Sequence, residues 1–435
     1  MKKLDFWERE RFLNMNFFLL LFLVLLGINT TTVFGRDFQL YKQINETLLA
    51  EDFIFSYSEF LKDHHLVARS GEGLTFLDIG GRILKKWPDD PCENISILDS
   101  RYVMTHSEEV TNELCKKGVC QQSYLRIYDR WGNRIQSIET GVGPNRHYSA
   151  SKGALNKFNQ LLFHSRFRNG NSNAYFDKTI LYLWDLNAKK IKKVANLSPS
   201  FRPLVLDNGD FLVGSANSLY VVTRKGRISK VFTIPEDESE KHVWILGLTK
   251  TSKGKISLST QRGFYVFNSD FTVETKYIRP SQVYHLQSEI FECSDGNYIL
   301  PTPEKKYLFI NVHGEVFATL PQSDWQLSPV KVNNNRVVLN NGKGLTLTTC
   351  EGEVLKTTSD FPALGTPSTN RAGELFYFSP EGVSKGHLVA MDANLNIIAT
   401  RYYYDFPVNF VYLEESKLLT VNLYDSRSIQ FLELK

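Results

Sequence analysis

The 435-residue chain lacks any long run of charge of one sign: 51 Lys and Arg stand against 47 Asp and Glu, a net charge of +4. That near-balance, with no basic stretch interleaved with aromatics, excludes a nucleic-acid partner from the expectation. Phosphate-cradling loops are missing too, since neither GxGxxG nor GK followed by Ser or Thr occurs. No calcium loop of alternating acids appears. Beyond Cys115 and Cys120 there is no second paired cysteine cluster to complete a zinc site, so neither metal nor cofactor is expected. Methionine is scarce, at 4 residues against 30 Phe and 20 Tyr. Aromatic side chains fit pleated, half-buried surfaces, so this bias favours strands.

What is present begins with the first 35 residues. Lys2, Lys3, Arg9 and Arg11 precede the apolar stretch Phe17 to Ile28, which is too short to cross a bilayer comfortably as a helix. The pattern is that of a signal peptide ending near Gly35 or, if uncleaved, of a signal anchor that associates the protein with a membrane through residues 17–28. Residues 36–70 place Leu40, Ile44 and Leu48, and later Phe60 and Leu61, at helix-like spacings, so a helical leader is expected there.

Export sets how the five cysteines are read. Cys115 and Cys120 bracket a short loop containing Gly118, and a Cys115–Cys120 disulfide is the expectation in an oxidising compartment. Cys293 and Cys350 lie within or beside strand patterns and read as buried small hydrophobes.

From about residue 71 onward short strands succeed one another without a helix between them. "KGKISLSTQRGFYVFNSDFTVETKYI", from Lys253 to Ile278, alternates apolar and polar residues twice around a glycine. The same plan recurs around it, with opening turns at Gly209, Gly254, Gly296, Asn335 and Gly373. Those turns lie 45, 42, 39 and 38 residues apart. That is the period of a four-stranded propeller blade, and the turns leave no room for a crossover helix. The fold expected is therefore all-β: a seven- or eight-bladed β-propeller over residues 71–435, preceded by a short helical segment. Incomplete strand sets at 73–87 and 409–434 suggest that N- and C-terminal strands share one blade and close the ring.

The run "SDGNYIL" with "LFINVHGEVFATL" resembles the repeats of quinoprotein-like and WD40-like propellers. In the quinone-binding repeat a tryptophan that docks between blades follows the last glycine turn. Gly226, Gly314 and Gly352 have the turn without that tryptophan, so the resemblance implies no quinone here. "KTSKGKISLSTQRGFYVFN" is similar to repeats of sensor propellers in bacterial regulators. "YHLQSEIFECSDGNYIL" is similar to blades of arylsulfotransferase-like propellers, in which histidines project into the central channel.

Chemistry-bearing residues are scattered. His106, His147, His164 and His285 fall at comparable blade positions. With Arg146 and Arg166 they would bind an anionic group or supply a base for sulfate or acyl transfer if they converged on a channel mouth. Otherwise they are unrelated surface or core histidines. The loop "GVGPNRHYSASKG", which contains Arg146, offers its glycine backbone and the hydroxyls of Ser149 and Ser151 as donors for an anion. Arg202 precedes the next inner strand as a further rim candidate. Trp131, Trp184, Trp244 and Trp325 read first as packing between blades, with a sugar-stacking face as the alternative. The function expected is an exported or membrane-associated binding or scaffold propeller, periplasmic or extracellular, for a protein, peptide or glycan. The alternative is a propeller enzyme, an arylsulfotransferase-like transferase or a lyase, using channel-facing His and Arg side chains.

Overall fold

The computed structural model describes residues 36–435 apart from 45–58, 62–64, 71–72, 79–81, 89–91, 100, 110–121, 143–148, 151–152, 168–177, 198–202, 236–244, 280–289, 294–295, 303, 323–328, 342, 360–363, 382–384, 406, 415 and 424–427. The described residues form nine antiparallel sheets, eight of four strands and one of five. Each of the first eight is a consecutive stretch of chain: 59–87, 92–142, 149–195, 204–233, 245–278, 291–321, 330–358 and 364–403. The ninth joins Pro407–Leu413, Leu418–Leu423 and Ser428–Leu434 to Phe38–Ile44 from the other end of the chain. Repeated four-stranded antiparallel sheets closed by a strand from the opposite terminus are the arrangement of a β-propeller.

Two expectations are corrected at the N-terminus. Leu40 and Ile44 belong to the strand Phe38–Ile44, and Phe60 and Leu61 to the strand Glu59–Leu61, not to helices. Leu48 lies outside the described residues. Spacings of four fit a two-residue period as well as a 3.6-residue one, so the pattern was ambiguous. Reassigning this segment adds a strand to the closing sheet and two strands, Glu59–Leu61 and His65–Ser70, to a first sheet. The described residues thus form nine sheets, where the repeat suggested seven or eight blades.

Burial follows strand position. In the fifth sheet, Ile256–Thr260 and Gly263–Phe267 are buried throughout, whereas Val273–Ile278 is largely exposed. The middle strands are covered on both faces by neighbouring sheets, and the fourth strand faces outward. Eight apolar clusters each join two consecutive sheets. Phe264 and Val266, for example, pack on Tyr298, Leu300 and Ile310 of the next sheet. Fully burying one such side chain contributes about 2 kcal/mol.

Several first-to-second and third-to-fourth strand turns share one design, with a threonine hydroxyl as acceptor at Thr223, Thr251 and Thr349 and an Asn or Asp in others. An Asn or Asp carboxamide or carboxylate accepts backbone N–H groups two and four residues on, as Asn156 does from Phe158 and Gln160 and Asp392 from Asn394 and Asn396. The fourth turn residue takes positive φ, +76° at Gly254 and +81° at Gly314. Asn159, Phe271 and Leu395 hold equivalent positions without being glycine.

Candidate functional site

In an antiparallel sheet, strand ends alternate between two rims. At one rim every connection is a turn of five residues or fewer. At the other, connections of eight residues or more leave the strand ends at 45–58, 110–121, 168–177, 196–203, 234–244, 279–290 and 322–329. The turn rim is tied sheet to sheet. Arg101 donates to Asn159 Oδ1 at 2.7 Å, Asn156 to the Gly209 carbonyl at 2.7 Å, and Lys157 to the Asp207 carbonyl at 2.8 Å. Lys250 pairs with Asp207 at 2.6 Å, Ser252 N–H donates to Glu292, and Arg371 N–H to Glu414.

A disulfide joins Cys293 and Cys350 across this rim, linking the first turn of the sixth sheet to the last turn of the seventh. Both were read as buried hydrophobes. They are buried, and they are also bonded to each other across the sheet interface. Cys115 and Cys120 lie outside the described residues.

His106 and His164 occupy equivalent places, each four residues after the residue whose carbonyl closes the first turn. Both sit in second strands, not in the first strands. His106 opposes Leu125 and His164 opposes Leu181 in their ladders, and opposed residues share a sheet face. Leu125 packs between the second and third sheets, and Leu181 between the third and fourth. The two imidazoles therefore face different interfaces, about 10 Å apart by sheet spacing. Burial lowers the His106 pKa to about 4, which keeps it neutral near pH 7. Ser149 and Arg166 are directly opposed in one ladder. His147, His285, Arg146 and Arg202 lie outside the described residues. Trp184 is fully buried between the second and third sheets and bonds Gln136, whereas Trp131 is 49% exposed on the turn rim. Trp244 and Trp325 lie outside the described residues. No group of three or more His, Cys, Asp or Glu able to hold a metal occurs among the described residues.

No family model matches the chain, and no curated protein matches it. Among solved structures it is similar to dihydro-heme d1 dehydrogenase NirN in complex with DHE, at 13% identity and a TM-score of 0.46, covering 83% of this chain and 77% of that one. It is also similar to the β-propeller domain of the Trilobed protease from Pyrococcus furiosus, which has an open velcro topology, at 10% identity and a TM-score of 0.38, covering 78% and 91%. A protein from Bacteroides caccae is similar at 12% identity and a TM-score of 0.30, covering 52% and 90%.

At the loop rim of the eighth sheet the structure assembles residues that the sequence pattern did not single out. His387 opposes Tyr402 in the ladder, with ring centroids 4.9 Å apart, and Tyr402 meets Tyr404 edge-on at 4.9 Å. His387 Nε2 lies 2.9 Å from Glu381 Oε1. Tyr404 is 83% exposed. Tyr403, between them, points into the core, where its hydroxyl donates to Gln430 and burial pushes its pKa up to about 12. The result is an aromatic ledge with a carboxylate at its edge. Such a ledge stacks on a sugar face or a peptide side chain while the carboxylate accepts a hydrogen bond. The only signal for it in the sequence is the triplet Tyr402-Tyr403-Tyr404 at a strand end.

Proposed function

We propose that the chain is an exported, nine-bladed propeller that acts as a binding or scaffold module, recognising a protein or glycan ligand at its loop rim. The segregation of every long connection to one rim carries this reading. Binding surfaces in rigid β scaffolds are built on variable connections held by an invariant frame. The ledge of His387, Tyr402 and Tyr404 supplies exposed aromatic surface on that same rim. Export is supported by the buried Cys293–Cys350 disulfide, a bond that persists in oxidising compartments, together with the signal-like first 35 residues.

The test is a photo-crosslinking amino acid placed in the producing cell at position 404 on the loop rim or at position 131 on the turn rim. Adducts from 404 that disappear with Tyr402→Ala, and none from 131, support the assignment. Adducts confined to 131 overturn it.

A further inference from the structure

Arg279 ends the fourth strand of the fifth sheet at the loop rim and is only 6% exposed. Its backbone N–H donates to the Arg262 carbonyl at 2.5 Å, and Nη2 donates to the Pro301 carbonyl of the sixth sheet at 3.0 Å. The guanidinium thus crosses the interface between the two sheets. Among the described residues, Nε and Nη1 have no hydrogen-bond partner and the group has no ion pair. Burial lowers its pKa, against weaker opposing effects from Tyr277 and Glu304. A buried cation with most of its donors unused is costly to fold around unless something supplies the counter-charge.

Its neighbours have the same deficit. Thr302, next to Pro301, is 5% exposed, and its Oγ1 has no hydrogen-bond partner among the described residues. Thr302 N–H donates to Gln322 Oε1 at 3.3 Å, and Gln322, also 5% exposed, has an unpartnered Nε2. The three residues form one chain of contacts: Arg279 to Pro301, Thr302 to Gln322. Their unused atoms are a guanidinium edge, a hydroxyl and an amide NH2. Together they present mainly donors and one positive charge, with no hydrogen-bond partner among the described residues. Buried polar atoms are rarely left unpaired, and a group of such donors calls for a missing acceptor. Arg is suited to planar, bidentate capture of an oxyanion.

We propose that Arg279, Thr302 and Gln322 form a binding site for an oxyanion, carboxylate or sulfate, at the loop-rim interface of the fifth and sixth sheets. The site stands independently of the aromatic ledge on the eighth sheet, and it is tested without the partner sought by crosslinking.

The experiment measures thermal stability of the full chain at constant ionic strength while chloride is replaced by sulfate, phosphate, acetate or glucuronate, with glucose as the neutral control. Saturable stabilisation by at least one anion is expected in the wild type. Arg279→Met should remove it while leaving the melting temperature in chloride unchanged or raised, because an uncompensated buried charge is gone. Gln322→Met and Thr302→Val should each weaken the anion response about tenfold, and they keep the test open if the Arg279 variant fails to fold. Stronger binding of glucuronate than of acetate identifies a ligand-borne carboxylate. Tightest binding of sulfate or phosphate identifies a free oxyanion. No saturable response in the wild type means that ordered water alone fills the site, and overturns the proposal. An equal response in wild type and Arg279→Met overturns it too.

Discussion

The two rims of this molecule differ in what their residues are for. On the turn rim, many polar side chains are committed to turns or to the next sheet. Asn and Asp side chains close their own turns, and Arg101, Asn156, Lys157 and Lys250 bridge to the next sheet. The disulfide adds a covalent link in the same belt. On the loop rim, the same sheets end in Arg279, Thr302 and Gln322, whose donors are not all used, and in Tyr404, which faces solvent. Stability is concentrated at one end and unspent chemistry at the other.

This contrast can be broken most sharply at Gly314. A Cβ there would lie 2.0 Å from the Lys276 backbone carbonyl, at a φ of +81°. Gly314→Ala should therefore cost about 4 kcal/mol, combining left-handed strain with a backbone displacement. Gly254→Ala, at a φ of +76° with nothing within 4 Å, should cost only about 1 kcal/mol. Equal losses in urea denaturation would show that contact across the turn rim does not matter.

The disulfide comes next. Its sequence separation of 57 residues corresponds to about 4 kcal/mol in the chain-entropy treatment. Cys293→Ala with Cys350→Ala should lower the melting temperature, and reductant should then lower it much less in the double variant than in the wild type. Insensitivity of the wild type to reductant under denaturing conditions would contradict the bond.

His106 gives a smaller, pH-dependent effect. Its pKa in the folded chain, about 4, lies below the unfolded value near 6.5, so the unfolded chain takes up the proton first as pH falls. The stability associated with the neutral imidazole is present above pH 6.5 and is lost between there and pH 4, by about 3 kcal/mol. His106→Gln should flatten the melting temperature over that window, and an unchanged slope would remove His106 as the source.

The smallest effect belongs to the loop rim. Doubling the connection between Thr233 and Ile245 with Gly and Ser should cost about 0.6 kcal/mol. A loss as large as that of Gly314→Ala would mean that both rims are equally constrained.

The repeat was legible wherever glycine occupies the left-handed turn position, as at Gly209, Gly254, Gly296 and Gly373. It was less clean where Asn159 adopts that conformation, because the backbone demand is then hidden behind an ordinary side chain. The strand that closes the ninth sheet was hidden because Leu40 and Ile44 satisfy two periods at once. Cys293 and Cys350 were seen singly, since their approach depends on how two sheets pack. Arg279 was invisible for a similar reason: before Pro280 it looks like any polar residue closing a strand, and only the neighbouring sheet buries it.

The closing sheet also has a consequence in time. Phe38–Ile44 precedes the other described strands in the chain, and its partner Ser428–Leu434 follows them. During synthesis the early strand has an open edge and no partner. The ring can close only when the C-terminus arrives, so a contact spanning almost the whole chain must form late. A chain truncated by even its last strand would keep most of its sheets and still leave that early strand exposed, available to pair with a neighbouring copy.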